Sequence, residues 1–328
     1  MSNCLLADVG GTRARFALLS GSRIGPVHSL DVGAYANPSQ AIKHFLNCIA
    51  TDARIDSAVI AAAGPVTAGR CALTNASWVL ETDELKWTFG LSAVNIVNDL
   101  EAVAWALPHL EMSDSEPIGR GYEVAGEPIG VIAPGTGLGV ACLMDSGSAR
   151  VLASEGGHAT LAATNAREAA LIDILRRKHR HVSAERVLSG PGLISLYAAI
   201  AELDGHRGEQ RSAEEIVQAA IQGDCHLSRQ ALDTFCSFLG SFAGNTALMF
   251  GARGGLFIAG GIVPRIVDYI RRTNFRSHFE SKGRFRAYLA RVPIRVIVRP
   301  DPAFLGLSEL ARRSRASGSR EKKSLPSA

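Results

Sequence analysis

Asp8-Val-Gly-Gly-Thr12 and Pro134-Gly-Thr-Gly-Leu-Gly139 are glycine-rich turns of the kind a polyphosphate needs. Phosphate oxygens must come close to backbone N–H groups, and glycine removes the Cβ that would block them. Thr12 and Thr136 add hydroxyl donors. Each turn is followed by a strand-like apolar run, whereas a dinucleotide fingerprint or a Walker loop needs a helix there to aim its N-terminus at phosphate. No Gly-Lys-Ser/Thr occurs, and Gly135-Thr-Gly137-Leu-Gly139 departs from G-x-G-x-x-G spacing. Either turn alone reads equally well as an ordinary hairpin turn. Two in register, each with a threonine, favour a common purpose. Gly260-Gly261 is a third turn, placed before a helix. It suits close passage beneath a flat base or ribose, and it also suits a plain strand-to-helix connection with Pro264 in the first helical turn.

The polar candidates lie at strand ends. Asn98-Asp99 follows the apolar run Val94 to Val97, where ligand-facing residues of open α/β sheets gather. A carboxylate there can orient a hydroxyl and accept its proton late in phosphoryl transfer; Asp before a helix is also a favoured N-cap. Glu155-Gly-Gly-His158 offers a carboxylate and an imidazole suited to paired hydrogen bonds with vicinal hydroxyls. Without a second histidine at metal-binding spacing it is a poor zinc site. Glu185, in Ser183-Ala-Glu-Arg186, reads by itself as a helix-start carboxylate.

The elements that must position these residues come in a repeated order. Leu5 to Val9 and Arg15 to Leu19 form a hairpin, with a third strand near Val27 to Val32. A helix from Pro38 to about Ala50, a buried strand Ala58 to Ala63, a strand Val94 to Val97 and a helix Leu100 to Leu107 follow. The polar stretch Ser113 to Gly126 reads as a domain boundary. Beyond it the hairpin recurs as Ile129 to Ala133 and Val140 to Met144, with a third strand near Val151 to Ala153. Such an echo indicates two related domains, each opening a mixed sheet, with a cleft between them as the natural ligand site. Helices are expected at Asn165 to His179, Leu193 to Ala201, Glu214 to Ile221 and Ser228 to Phe250. Strand Leu256 to Ala259, a helix from Pro264, strand Ile294 to Val298 and helix Phe304 to Arg313 complete the chain.

A chain of 328 residues, 47% hydrophobic and 20% charged, is long enough for two cores. Its net charge of +4 is an end effect, because the last seventeen residues carry +5 and leave the body near −1. A near-neutral body lacks the basic face of a nucleic-acid binder. No apolar run is long enough to cross a bilayer, and the start lacks signal-peptide features, so a cytoplasmic protein without membrane or nucleic-acid partners is expected. The cysteines show no C-x-x-C spacing and read as reduced thiols, most of them in the core.

The segments Asp8-Val-Gly-Gly-Thr-Arg-Ala-Arg15, Thr74-Asn-Ala-Ser-Trp78, Val97-Asn-Asp99, Gly135-Thr-Gly-Leu-Gly139, Glu155-Gly-Gly-His158, Ser183-Ala-Glu-Arg-Val-Leu-Ser-Gly-Pro-Gly192 and Phe257-Ile-Ala-Gly-Gly-Ile-Val-Pro-Arg265 occur in this order between residue 5 and about residue 310. In that order they resemble the bacterial glucokinase family of the actin, Hsp70 and hexokinase superfold. The related repressor, open reading frame and kinase family differs by a cysteine-rich zinc motif that is missing from this sequence.

The resemblance implies an α/β protein of two ribonuclease H-like (actin-like ATPase) domains, mixed sheets flanked by helices, with an interdomain cleft. The small domain would span 1–110 with a returning helix 303–313, the large domain 111–300, and a disordered basic tail 314–328. Asn75, Asn98, Asp99, Glu155, His158 and Glu185 would bind glucose, with Asp99 as catalytic base. Asp8, Gly10, Gly11, Thr12, Arg13, Gly135, Thr136 and Gly137 would surround the phosphates of ATP, and Gly260 and Gly261 would lie by its adenosine. Asp8 would hold Mg²⁺ through water. Some relatives have Asn where Arg13 stands, so Arg13 either adds a cation beside the phosphates or points outward. The implied reaction is phosphorylation of glucose to glucose 6-phosphate by a homodimer at the entry to glycolysis, with sugar binding closing the domains and expelling water. A kinase for mannose, glucosamine or fructose, or a non-catalytic sugar sensor on the same fold, are the alternatives.

Overall fold

The opening hairpin forms as its apolar runs demand: β1 (Asn3–Val9) pairs antiparallel with β2 (Arg13–Ser20). The computed structural model describes residues 3–49, 54–144, 149–206 and 209–323. It divides into two units, Met1–Leu110 with Pro300–Ala328, and Glu111–Arg299.

In the first unit β3 (Arg23–Ile24) and β4 (His28–Asp31) extend the hairpin where one strand near Val27 to Val32 is expected. Helix α1 (Pro38–Cys48) is capped by the Asn37 side chain and carries Pro38 in its first turn; its expected end at Ala50 lies outside the described residues. β5 (Ile55–Ala62) pairs parallel with β1. β6 (Arg70–Ala72) and β7 (Val79–Glu81) form a small separate hairpin, and α2 (Thr82–Phe89) follows. β8 (Ala93–Asn98) pairs parallel with β5 and runs into α3 (Asp99–Ala106). The sheet order β3-β2-β1-β5-β8 puts β1 between two neighbours. Its apolar run Cys4 to Ala7, fully buried, is what such a central strand requires.

The second unit repeats this plan. Its first strand, β9 (Ser115–Pro117), comes from the polar stretch read as a boundary, and it pairs at the sheet edge with a strand late in the chain. β10 (Ile129–Pro134) and β11 (Leu138–Met144) make the hairpin, β12 (Arg150–Ser154) its third strand. Then come α4 (Ala166–Arg176), α5 (Gly190–Leu203), α6 (Ala213–Gln222) and α7 (His226–Phe250), followed by β13 (Gly255–Ile258), parallel to β10. The helix expected from Pro264 is a 3₁₀ turn, Val263–Ile266, running into the single turn of α8 (Val267–Ile270). α9 (Phe275–Glu280), α10 (Arg286–Arg291) and β14 (Ile294–Ile297) complete the sheet order β12-β11-β10-β13-β14-β9. Phe235, Phe238, Phe275 and Phe279 are buried among the aliphatic side chains of its core.

The last helix, α11 (Ala303–Lys323), belongs to the first unit and packs on α3. It passes Arg313, where the sequence reading ends it, and continues through part of the stretch expected to be disordered. Residues 314–323 hold mostly Ala, Ser, Arg, Glu and Lys with a single glycine and no proline. Residues 324–328 of the expected tail lie outside the described residues. Arg312 and Arg313 are not tail cations at all: both bond the buried Glu309 carboxylate at 2.6 Å, and Arg313 stacks 4.4 Å over the Trp105 ring. Burial pushes the Glu309 carboxyl up, but the two guanidiniums outweigh it and hold the group below the usual range.

Where α11 crosses α3, a Cβ added to Gly306 would stand 1.8 Å from the Ala102 carbonyl oxygen. Helix propensity alone favours alanine by about 1 kcal/mol, whereas forcing a methyl into a filled contact costs about 1–3 kcal/mol or more. Gly306→Ala should therefore lower stability by about 1–2 kcal/mol in urea unfolding. An unchanged or raised midpoint would show that the two helices can part at no cost.

Candidate active site

In the first unit the candidate residues gather at one edge of the sheet. β1, β5 and β8 are parallel, and Val9 is level with Ala62 and Ala62 with Asn98, so the turns after these strands emerge side by side. Gly10, Gly11 and Thr12 form the turn after β1, closed by a 2.9 Å bond from the Gly10 N–H to the Arg13 carbonyl. Arg13 opens β2 and is exposed. Asn75, in the loop between β6 and β7, presses on this turn, and a Cβ at Gly11 would stand 2.7 Å from the Asn75 Cβ. The loop is held by bonds from the Thr74 N–H and hydroxyl to the Ala63 carbonyl, at 3.2 and 3.3 Å. Asn75 thereby sits beside the first glycine turn.

The cap of α3 is Asn98, not Asp99. Asn98 Oδ1 accepts from the Leu100 and Glu101 N–H groups at 3.0 and 3.4 Å, while its amide donates to the Gly64 carbonyl at 3.3 Å. Asp99 is the first helical residue, with Oδ1 accepting from the Leu100 N–H at 2.8 Å. Its carboxylate is thus fixed in direction at the positive end of a helix dipole.

Arg15 and Asp301 also belong to this edge, although the sequence assigned them no role. The Arg15 guanidinium reaches Asp8 Oδ2 at 3.1 Å and Asp301 Oδ1 at 3.3 Å. Asp301 has a left-handed backbone, φ 49°, between Pro300 and Pro302. That Pro-Asp-Pro triplet just before a helix was the available signal. Burial raises the Asp8 carboxyl above the usual carboxylate range, Arg15 opposes this, and Asp301 adds to it. The folded protein therefore holds the Asp8 proton more tightly than the unfolded chain does. Asp8 contributes stability that is complete at low pH and is lost as pH rises through its folded-state value.

The second unit places its candidate residues in the same way. Gly135, Thr136 and Gly137 connect β10 to β11, closed by a 2.8 Å bond from the Gly135 N–H to the Gly137 carbonyl. The Gly135 carbonyl accepts the N–H of Gly190, the first residue of α5, at 2.8 Å, which sets that helix N-terminus at the turn. β13 is parallel to β10, so Gly260-Gly261 leaves its sheet beside the same turn. Gly260 has φ +89° and would set a Cβ 2.3 Å from the Pro134 carbonyl oxygen. Only glycine fits there.

Glu155 precedes the 3₁₀ turn Gly156–His158, and His158 ends it. This turn is pressed so close to β11 that a Cβ at Gly157 would fall 1.9 Å from the Leu138 carbonyl oxygen. Glu185 is no simple helix-start carboxylate, because its Oε2 accepts the N–H of Leu138, just after the second glycine turn, at 2.9 Å. His158 lies between the acids, with Nε2 3.8 Å from Glu155 and Nδ1 4.0 Å from Glu185. This cluster presents two carboxylates and an imidazole, the acceptors and donors for neighbouring hydroxyls. Each unit thus carries a glycine turn with polar side chains next to it, Asn75, Asn98 and Asp99 in the first and Glu155, His158 and Glu185 in the second.

A family model described as Glucokinase matches residues 5–314. A glucokinase of Paramagnetospirillum magneticum is 44% identical over 310 residues, covering 93% of this chain and 96% of the relative. The crystal structure of a glucokinase from an Antarctic psychrotroph superposes with a TM-score of 0.86 at 36% identity, covering 95% of this chain and 99% of that one. A ROK family glucokinase from Streptomyces griseus, solved in complex with glucose and AMPPNP, shares the fold at 20% identity, with a TM-score of 0.65 and coverage of 95% and 100%.

The Arg15 bridge can be tested by titration. In Arg15→Met the opposing cation is gone, so the Asp8 carboxyl should titrate at a higher pH than in the parent, read by carboxyl ¹³C shifts. A shift to lower pH would mean that Arg15 does not govern this group.

Proposed function

The chain belongs to the glucokinase family, and its reaction is the ATP-dependent phosphorylation of glucose; from that premise we propose that Asp99 is the catalytic base. The observation that carries the proposal is the place of Asp99: the first residue of α3, at the carboxyl end of β8, in the same row of strand ends as Gly10, Gly11 and Thr12. Asn98 caps the helix, and the Leu100 N–H that Asp99 Oδ1 also accepts orients the Asp99 carboxylate.

Asn75, Asn98 and Asp99 of the first unit, with Glu155, His158 and Glu185 of the second, supply the glucose ligands. The 6-hydroxyl oxygen attacks the terminal phosphorus of ATP. A new O–P bond forms as the bond to the β,γ-bridging oxygen breaks, and the hydroxyl proton passes to Asp99 late in the transfer. Gly10, Gly11 and Thr12, together with Gly135, Thr136 and Gly137, offer N–H and hydroxyl donors to the phosphates, and Arg13 adds a cation. Gly260 and Gly261 give the adenosine a surface without side chains.

Asp8 would hold Mg²⁺ through water. Magnesium keeps several waters and takes one or two carboxylates plus substrate phosphates, which suits one carboxylate beside the first glycine turn. Bound there, it would neutralise charge developing on the phosphates. Arg15 bonds Asp8 Oδ2 and so sets the direction of that carboxylate. The same reading has the enzyme work in the cytoplasm as a homodimer, without nucleic-acid or membrane partners. The near-neutral charge of the body supports the first exclusion.

Asp99→Ala should fold normally, by circular dichroism and thermal melting, and lose about three or more orders of magnitude in kcat in a coupled assay with ATP and Mg²⁺. Near-normal turnover in the folded variant would remove Asp99 from the role. A panel of glucose, mannose, glucosamine and fructose should give the highest kcat/KM for glucose. Glu185→Gln keeps a hydroxyl acceptor but loses the charge, so the KM for glucose should rise by about tenfold with a smaller change in kcat. A fall in kcat alone would place Glu185 elsewhere in the mechanism.

A further inference from the structure

A cavity of about 380 Å³ in the second unit is lined by His158, Lys178, His179, Arg180, His181, Ser183, Glu185 and Arg186. From this lining we infer a binding site for the phosphate group of a small metabolite, adjoining the sugar ligands and antagonistic to sugar binding.

Three permanent cations meet one carboxylate in this lining. The helix that precedes them explains only part of that charge. Cations near a helix C-terminus favour its dipole, and Arg176 and Arg177, at the end of α4, are also ion-paired to Asp173 and Glu202 at 2.5 Å. Lys178, Arg180 and Arg186 have no ion pair or side-chain hydrogen bond among the described residues, and Arg186 comes from a different turn altogether. Glu185 offsets one of these three charges, while its Oε2 also accepts the Leu138 N–H. The site therefore has an unbalanced positive charge and several N–H donors, which is what an oxyanion requires.

The backbone beside the exposed cations is held in place. The Leu161 N–H bonds the Val182 carbonyl at 3.0 Å, the Ala184 N–H bonds the Ala159 carbonyl at 2.9 Å, and the Thr160 hydroxyl meets His181 Nε2 at 3.0 Å. The cavity volume falls at the lower end of the roughly 300–1,000 Å³ typical of small-molecule pockets. It leaves room for an organic moiety beside the phosphate group.

His158 and Glu185 belong both to this lining and to the proposed glucose ligands. An anion that engages His158 withdraws it from the sugar. The antagonism rests on that assignment of glucose ligands, whereas the binding itself does not.

Calorimetry on the full chain at low ionic strength, with inorganic phosphate and glycerol 3-phosphate as probes and sodium chloride as the ionic-strength control, separates the two. Both probes should show saturable single-site binding, tighter for glycerol 3-phosphate. Lys178→Ala with Arg180→Ala should weaken each by about tenfold or more through loss of charge-assisted bonds. At saturating ATP, glycerol 3-phosphate should raise the KM for glucose without lowering kcat, and do so less in the double variant, whose KM without the probe stays that of the parent. No saturable binding, or equal binding by parent and variant, overturns the site. Binding that the variant loses, with no effect on the KM for glucose, keeps the site and overturns the shared use of His158 and Glu185.

Discussion

Close approach of glycine backbone to neighbouring groups, at distances that exclude a Cβ, is the constraint on which the candidate residues of each unit depend. Gly157 lies against the Leu138 carbonyl and Gly260 against the Pro134 carbonyl, while Gly11 lies against the start of the Asn75 side chain. Each contact locks a loop that carries polar side chains onto the end of a strand. Such loops inherit the rigidity of the mixed sheets that carry them, while Asn98 and Asp99 are oriented by their bonds to the Gly64 carbonyl and to the first N–H groups of α3. Glycine here serves precise fit more than flexibility.

Electrostatics then distinguishes the candidate residues of the two units. The first is built around anions, with Asp8 and Asp301 joined by Arg15 and with Asp99 at the start of a helix. An incoming polyphosphate would add negative charge to this edge, which the N–H donors of the glycine turn would offset. The second is mixed, with His158 between two carboxylates.

Much of this was legible in the sequence because it rests on local pattern. The two glycine turns, the hairpins around them and Asn98-Asp99 at a strand end each occupy a few consecutive residues, and short-range rules read them. What escaped depends on partners far apart in the chain. Nothing near Arg15 announces Asp301, and nothing near Glu185 announces the Leu138 N–H. β9 was read as a linker because a three-residue edge strand has no period to detect, and its pairing with β14 is settled by the sheet. The division of labour between Asn98 and Asp99 was also out of reach, since both residue types cap helices. The run of α11 beyond Arg313 follows from helix-forming residues whose charge suggested a solvated tail.

The return of α11 to the first unit has a consequence for biosynthesis. Residues 111–299 form a continuous segment and can complete their core as soon as that stretch has left the ribosome. The amino-terminal sheet is made earlier but lacks the helix that covers α3 until residues 303–323 emerge. During translation, then, the unit that begins the chain is the last to be finished, and the face of α3 that receives Gly306 is the surface a chaperone would have to shield in the interval.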